Sequence, residues 1–325
     1  MKPITQTQIS IRGKQVLVRA LNVHGFEVVM TGRWLQRASI KGEDYILEEP
    51  ASDAERLISE LRRQRSGADL FTFAQRIPDT KRRFSFPVHW ENAAVLPILG
   101  YSDWWENRLS QDTRRNVRLS SKRGLVVRAV KFDDAFVEGI RGIYNETKVR
   151  QGRRFWHYGK NFETVKRENG TFLDTSEFIG AYLGSELIGF LKMVYLNEVA
   201  SIMQILSKTT HYEKRPMNAL IAKAVEICNE KRKSHLIYRK YTYHKHASDS
   251  LTEFKRRNGF EQVIIPRYFV PLTLKGRMAV ALKLHLGLSE LVPASIVCAY
   301  IKARTKYYDL KTSRINSATL QIGTG

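Results

Sequence analysis

Three apolar runs between residues 178 and 206 form the clearest pattern in the chain. Only two or three residues separate one run from the next, and the runs cover residues 178–183, 187–196 and 199–206. Turns this short join antiparallel neighbours. The runs therefore predict a three-stranded meander.

The chain behind this meander alternates between helical and extended patterns. Pro216 suits a first helical turn, and apolar residues recur at helical spacing up to Cys228. Residues 236–243 predict a strand, a short helix then ends at Arg257, and residues 260–270 are extended again.

The N-terminal part has its own pattern. Two alternating stretches at residues 7–20 and 26–31 predict a hairpin, and a helix and a strand follow before residue 74. Together these patterns predict an α/β protein with a mixed sheet. We expect a small N-terminal α/β unit in residues 1–95, a main domain in residues 96–275, and a helical extension with a tail in residues 276–325. Whether residues 1–95 are a separate unit or a degenerate second copy of the main domain's fold stays open at this point.

A basic helix and a long polar loop are predicted at the start of the main domain. Residues 104–123 predict a helix on which Arg114, Arg118 and Lys122 fall on one stripe, suited either to phosphate contacts or to a solvated face. Residues 145–172 are polar and aromatic. A long loop of that kind inside a compact domain usually carries function.

The charge of the chain narrows its partners. Among 325 residues, 54 Lys and Arg outnumber 32 Asp and Glu, which gives a net charge of +22. This surplus attracts nucleic acid, nucleotide phosphates or anionic lipids. Neither a signal peptide nor an apolar run long enough to span a bilayer is present, so we expect a cytoplasmic protein.

Several common chemistries have no signature in this sequence. We find no phosphate-binding P-loop, no dinucleotide fingerprint and no Ser-His-Asp order. His244 and His246 are spaced like metal ligands, but no Cys, Asp or Glu cluster accompanies them, and we expect no metal.

The order of predicted elements resembles the GNAT superfamily, and within it the Fem-type and related bacterial acyltransferases. The likeness covers about residues 95–275. It is carried by short motifs at matching places: Gly180-Ala181-Tyr182, Ile188-Gly189-Phe190, Asn218-Ala219-Leu220-Ile221, Ser250-Leu251 with Phe254-Lys255, and Asn258-Gly259-Phe260. The resemblance implies an acyltransferase that moves an acetyl or other acyl group from coenzyme A to an amine or sugar-amine, such as a cell-envelope precursor.

The resemblance also implies where the donor binds. In such folds the third meander strand and the strand after the long helix splay apart and hold the acyl arm by backbone pairing. The N-terminus of the long helix faces the donor phosphates. The matching donor residues here are Ile205, Leu206, Lys214, Arg215, Met217, Asn218 and Lys255.

Two departures from the family pattern leave alternatives open. Residues 209–216 lack the glycine turn of coenzyme A-binding members, and Lys255 occupies the place of the tyrosine that protonates the leaving thiolate. One alternative is a Fem-type transferase that draws an aminoacyl group from transfer RNA. Another is a binding module that has kept the scaffold but lost turnover.

Candidate catalytic and acceptor residues follow from the same placement. Acyl transfer to an amine needs proton transfer, and Tyr241, Tyr243 and His244 end the strand that feeds the cleft. The polar loop offers a patch for an acceptor. Its residues are Glu146, Arg150, Arg154, His157 and Tyr158.

The C-terminal extension has a basic amphipathic pattern. Residues 276–310 predict two helices, the second with apolar residues on one side and Lys302, Arg304 and Lys306 on the other. Such a helix either packs against the domain or lies on the inner surface of an anionic membrane.

Overall fold

The computed structural model describes residues 4–11, 14–64, 66–150, 153–242 and 250–286. Within these ranges the chain forms the strands β1 (Thr5–Ile11), β2 (Lys14–Val23), β3 (Phe26–Thr31), β4 (Arg37–Ile40), β5 (Leu70–Ala74), β6 (Val88–Pro97), β7 (Leu125–Val130), β8 (Val149–Arg150), β9 (Arg153–Arg154), β10 (Ser176–Leu183), β11 (Glu186–Leu196), β12 (Val199–Ser207), β13 (His235–Ile237) and β14 (Glu261–Pro271).

Eight α-helices lie between these strands in the same ranges. They are α1 (Ala54–Arg63), α2 (Tyr101–Asp103), α3 (Gln111–Lys122), α4 (Asp134–Asn145), α5 (Phe162–Asn169), α6 (Pro216–Glu230), α7 (Ser250–Arg257) and α8 (Leu274–Ala281). Polar caps start several of them. The side chains of Ser110, Asp133 and Asn161 each accept a hydrogen bond from a backbone N–H in the first turn of α3, α4 and α5.

Twelve of the strands form one mixed sheet. Its order is β1-β2-β3-β4-β5-β14-β6-β13-β12-β11-β10-β7, and β8 and β9 form a separate hairpin. All neighbours are antiparallel except β4 with β5 and β12 with β13. Each parallel pair is joined by a helix, α1 in the first case and α6 in the second. We call β1–β5 with α1 the N-terminal half and β7–β13 with α3–α6 the C-terminal half.

The two central strands cross between the halves. β6 follows β5 along the chain but pairs with β13, whereas β14 follows α7 and pairs with β5. β6 and β14 also pair with each other over eight residues, from Glu261 opposite Val95 to Tyr268 opposite Val88. The predicted boundary at residue 95 falls within β6, and the division into domains stays a prediction.

Two apolar cores lie on one face of the sheet, and a third lies on the other. The helix α6 buries Leu220, Ile221 and Val225 against the C-terminal half. On the same face, α1 buries Leu57 and Leu61 against the N-terminal half. The helices α4 and α5 cover the opposite face of β10 and β11.

The predicted α/β fold with a mixed sheet, the meander and the helix beginning at Pro216 are confirmed. The single helix predicted for residues 104–123 is wrong. α2 continues into a π-helical turn at Trp104–Arg108, Leu109 is extended, and Ser110 caps a new helix. Buried Leu109 and the capping preference of Ser110 explain this break. In the C-terminal extension, α8 begins at Leu274 and the second predicted helix lies outside the described residues.

Candidate functional site

A cleft opens where β12 and β13 diverge. The two strands pair only at Val199–Ser201 and His235–Ile237. Beyond this point β12 stays paired with β11 up to Ser207. The chain after β13 instead follows β6, because Tyr238 N–H donates to the Ala94 carbonyl at 2.8 Å and Ala94 N–H donates to the Arg239 carbonyl at 2.7 Å. The strand divergence expected of the fold is therefore present.

A β-bulge lies on the cleft side of this divergence. Lys192 of β11 pairs with Gln204, but Met193 pairs with Ile202, so Met203 is the extra residue. Bulges re-aim side chains and bend the strand that carries them. Behind the bulge, Ile205 packs into the core under α6 and Leu206 packs into the opposite core. Their side chains are therefore structural, and only their backbone can meet a donor.

The N-terminus of α6 carries the predicted cations. Arg215 immediately precedes the helix with a left-handed backbone (φ 59°, ψ 40°), and its side chain is exposed. Pro216 follows at the first helical position, where its missing N–H costs nothing. The Arg123 guanidinium donates to the Glu213 carbonyl and so ties α3 to the turn before α6.

Four arginines line a basin beside this helix end, and one of them, Arg257, also pairs with Glu253 at 2.5 Å. Arg115 and Arg123 come from α3 or its end, Arg215 precedes α6, and Arg257 ends α7. With Asp112, Asn116 and Leu119 they line a basin of about 460 Å³, here called the arginine basin. Guanidinium groups bind phosphate with a fixed fork geometry. The basin is therefore suited to an anionic partner with several phosphates.

The stripe of arginines predicted from the sequence has another task. Arg114 donates to the carbonyls of Trp105 and Glu106 at 3.0 and 2.7 Å, and Arg118 lies over the Trp105 ring. These two arginines hold the π-helical turn. The next position along α3, Arg115, is the one that lines the basin.

The remaining donor residues predicted from the sequence lie close to a buried anchor. Met217 packs on the core, and the Asn218 amide reaches the Asn258 side chain at 3.4 Å. Asn258 is fully buried, and its carbonyl accepts a hydrogen bond from the Trp104 indole at 3.0 Å. Lys255 is also fully buried, and its ammonium contacts the Lys240 carbonyl and the Tyr238 ring.

The three catalytic candidates lie at the end of the described range 153–242, which includes Tyr241 but neither Tyr243 nor His244. Tyr241 is half-buried against the core under α6 and lines a groove with Arg108, Arg256 and Phe260. Its carbonyl accepts a hydrogen bond from Thr252. Tyr243 and His244 lie outside the described residues, so the catalytic assignments stay predictions.

Glu146, predicted to bind the acceptor, fastens the turn before α6. Its carboxylate accepts the N–H groups of Thr209 and Thr210 at 2.7 and 2.8 Å and the Thr210 hydroxyl at 2.8 Å. Burial by itself would raise the pKa of Glu146, but these hydrogen bonds outweigh burial and lower the pKa. Glu146 is therefore an ionised clamp between α4 and the donor helix.

Arg150 and His157 brace the same end of β12. Arg150 donates to the Ser207 carbonyl at 2.6 Å and to Glu146 at 3.1 Å. His157 stacks on Tyr144 with ring centroids 4.2 Å apart, and its Nε2 lies 3.4 Å from the Gln204 amide nitrogen. Burial, together with nearby Lys160 and Arg150, lowers the pKa of His157 to about 3. The imidazole is thus neutral at physiological pH.

The other two acceptor candidates point outward. Arg154 and Tyr158 are exposed, and Lys148 lies over the Tyr158 ring at 5.6 Å. The structure therefore separates the predicted patch into a bracing group and an exposed group. A role of either group in acceptor binding stays a prediction.

A cavity between the halves was missed by the sequence analysis. It holds about 330 Å³ and is lined by residues of both halves, including Ser201 and Ile237, where β12 and β13 part. We call it the central cavity. Its charged lining residues are Glu43, Asp44, Arg76, Glu91, Arg239, Lys240 and Arg267.

Arg267 organises the wall of the central cavity. Its side chain is mostly buried, with 18% exposed, and it pairs with Glu43 and Glu91 at 2.9 Å each. Burial would lower the pKa of Arg267, but the two carboxylates outweigh burial and raise the pKa. One sequence signal could have revealed this residue, since Arg267 interrupts the apolar run from Val263 to Val270 within β14. Its partners Glu43 and Glu91 have no such signal.

Among the described residues, no group of three or more His, Cys, Asp or Glu side chains is arranged to hold a metal ion. In the same part of the chain, no helix has both the length and the apolar character needed to cross a membrane.

Comparison with known proteins gives a fold. No protein-family model matches the sequence, and no curated protein matches it significantly. Solved structures do match. FemX superposes with a TM-score of 0.52 at 12% identity, covering 86% of this chain and 90% of FemX. L-PGS from Bacillus licheniformis gives 0.55 at 12% identity, covering 85% and 89%.

A third structure is the C-terminal domain (DUF2156) of an Agrobacterium fabrum protein described as a lysylphosphatidylglycerol synthetase. It gives a TM-score of 0.52 at 10% identity, covering 81% of this chain and 87% of that one. All three match this chain over most of their length. The chain therefore has a GNAT-like fold related to that of Fem-type proteins.

Proposed function

We propose that the protein is an acyltransferase that takes an acyl group from a phosphate-bearing donor and passes it to an acceptor amine at the central cavity. The observation that carries this proposal is the place of the cleft. It lies between the arginine basin on the α6 side and the central cavity, whose lining includes Ser201 and Ile237 at the divergence.

Acyl transfer requires mainly that the acyl carbonyl and the acceptor amine meet in this cleft. The amine nitrogen attacks the acyl carbonyl, the bond to the donor oxygen or sulfur breaks, and the amine proton passes to the leaving group. The edge of β12 beyond Ser201 is not paired with β13, so its backbone is open to a strand-like acyl arm. His157 supports Gln204 behind this edge, and its lowered pKa makes it a weak proton acceptor.

Between the two donors considered, the basin favours aminoacyl-tRNA. Its four arginines lie on or beside three helices and suit a chain of phosphates more than a single pyrophosphate. Arg215 adds a side chain to a turn, residues 209–216, that has no glycine, which obstructs close approach to the backbone.

Coenzyme A remains the second candidate donor, since the open N-terminus of α6 suits a pyrophosphate. Binding distinguishes the two donors. We expect charged total tRNA to bind with a strong salt dependence and acetyl-coenzyme A to bind weakly, by fluorescence anisotropy and calorimetry respectively. Micromolar binding of acetyl-coenzyme A, with thiol release when an amine is added, would reverse this order.

A matched pair of variants tests the basin. Arg115→Ala/Arg257→Ala removes two of its cations, and Arg56→Ala/Arg63→Ala removes two exposed arginines from α1 in the other half. We expect the first variant alone to lower tRNA affinity at least tenfold and to reduce the slope of log affinity against log salt by about 2. Equal effects of the two variants would mean that tRNA binds by general charge and that the basin is not the donor site.

A further inference from the structure

Helix α8 buries one face and exposes an apolar stripe on the other. Gly276 and Ala279 pack against the sheet, and an added methyl group at Gly276 would collide with the Asp69 backbone. Leu274, Met278 and Leu282 follow one another at four-residue spacing and are 66%, 63% and 64% exposed. Single exposed apolar residues are ordinary, but a stripe of three marks a contact surface.

A tryptophan extends this stripe. Trp34, in the loop between β3 and β4, is 61% exposed. The ammonium of Lys275 lies 5.2 Å from the Trp34 ring centroid and also contacts the Trp34 carbonyl. We call Trp34, Leu274, Met278 and Leu282 the α8 surface.

Cations border the α8 surface. At 3.6 residues per turn, Lys275 and Arg277 lie on opposite sides of the stripe. Arg33 and Lys283 are exposed nearby. Lys275 is partly neutralised by Asp69 at 3.2 Å, but residues 31–37 and 272–286 contain no Asp or Glu.

We propose that the α8 surface docks the protein on an anionic lipid bilayer. An apolar stripe with a tryptophan and a border of cations fits the boundary between headgroups and acyl chains. The net charge of +22 adds a general attraction to anionic lipid. The other possible occupant is the segment 287–325 of this chain, and the experiment separates the two.

Docking through the α8 surface would bring an acceptor carried by a lipid close to the site, and this role rests on the proposed function. A second cavity of about 540 Å³, here the outer cavity, is lined by Arg37, Phe269, His285 and Leu286. It shares Glu43, Glu91, Lys240 and Arg267 with the central cavity. The two cavities therefore adjoin at this shared wall, and the outer cavity, next to the end of α8, is the side from which an amine carried by a lipid would approach the acyl group.

Vesicle flotation with the full-length protein tests docking directly. We expect binding to vesicles of phosphatidylcholine and phosphatidylglycerol in equal amounts and none to phosphatidylcholine alone. Met278→Glu/Leu282→Glu and Arg277→Glu/Lys283→Glu should each lower the affinity for anionic vesicles at least tenfold. Leu99→Glu is the matched control, since Leu99 is 72% exposed and remote from α8 in sequence, and it should bind as wild type does.

Three outcomes would overturn the proposal. The wild type could fail to float with anionic vesicles, or both double variants could bind them like the wild type. In the third, Met278→Glu/Leu282→Glu lowers the melting temperature while its vesicle affinity is unchanged, which would assign the stripe to the segment 287–325. Because flotation needs no donor, failure of tRNA and coenzyme A binding would remove the proposed function and leave docking intact.

Discussion

The two halves of the sheet repeat one succession of elements but differ at their parallel strand pairs. Each half has an antiparallel meander, a helix and a strand parallel to the last meander strand. Both parallel pairs cover three residues. In the N-terminal half β4 ends at Ile40, one residue beyond the pairing. In the C-terminal half β12 runs six residues beyond Ser201 and contains the bulge. Only the second arrangement leaves a cleft.

The charge of the residues that precede the connecting helix, α6 in one half and α1 in the other, also differs between the halves. Lys214 and Arg215 precede α6, and the arginine basin lies beside them. The helix α1 is instead approached through Glu48, Glu49 and Asp53, which would repel an anion from a helix end that otherwise attracts one. We infer that the N-terminal half is a reduced copy of the fold that lost the donor site and now supplies one wall of the central cavity.

The largest effect is expected where the two halves meet. Arg267→Met removes the cation between Glu43 of the N-terminal half and Glu91 of β6. Two largely buried carboxylates would then lose their main partner, although Lys240 stays 3.8 Å from Glu91 and the Ala74 N–H still donates to Glu43. The free energy of unfolding should therefore fall by about 3 kcal/mol in urea titrations, the lower end of the range for a broken buried pair.

A triple variant serves as the control for this loss. Arg267→Met with Glu43→Gln and Glu91→Gln removes all three charges and should regain part of the stability, since no unpaired charge remains. If Arg267→Met alone costs less than about 1 kcal/mol, within the range of an exposed pair, the ion cluster does not hold the halves together.

A smaller effect is expected at the clamp that only the C-terminal half possesses. Glu146→Ala leaves the N–H groups of Thr209 and Thr210 without their acceptor, and we expect a loss of about 1–3 kcal/mol in the free energy of unfolding. Donor affinity should fall as well, because this turn leads directly into α6. Glu198→Ala, at the exposed turn between β11 and β12, should change neither quantity.

The clamp also predicts a pH dependence. The pKa of Glu146 is lowered in the folded protein from an ordinary value of 4.5. Its contribution to stability is therefore complete above about pH 4.5 and is lost as the pH falls further, through the folded pKa. The stability difference between wild type and Glu146→Ala should shrink over that range, and a constant difference would contradict the clamp.

The elements that frame the proposed donor site could be predicted from the sequence because they depend on local patterns. Short turns dictate the meander, and Pro216 marks where α6 begins. The clamp role of Glu146 could not be predicted, since its partners Thr209 and Thr210 are more than sixty residues away. A polar residue in a loop reads as a surface group until its contacts are known.

The central cavity was beyond prediction for a topological reason. Its walls come from strands that cross between the halves, and β14 pairs with β5 although about 190 residues separate their sequences. Strand exchange of this kind leaves no periodicity in either segment. Arg267, a charge within the apolar run from Val263 to Val270, is the sequence signal that β14 borders something other than a core.

The finest difference between the halves is a single backbone conformation. Arg215 holds a left-handed φ of 59°, which costs a residue with a side chain about 1–2 kcal/mol relative to glycine. Arg215→Gly should therefore leave stability within about 1 kcal/mol of wild type while removing one cation from the arginine basin. If the side chain binds donor phosphate, tRNA affinity should fall about tenfold, equal to about 1.4 kcal/mol, and Arg215→Lys should recover part of it.

If the backbone is the donor site, Arg215→Gly should instead raise the affinity for acetyl-coenzyme A, because glycine opens the approach to the N–H groups of α6. Calorimetry with both donors on the one variant thus decides whether this half kept the coenzyme A site of its fold or exchanged it for a polyphosphate one.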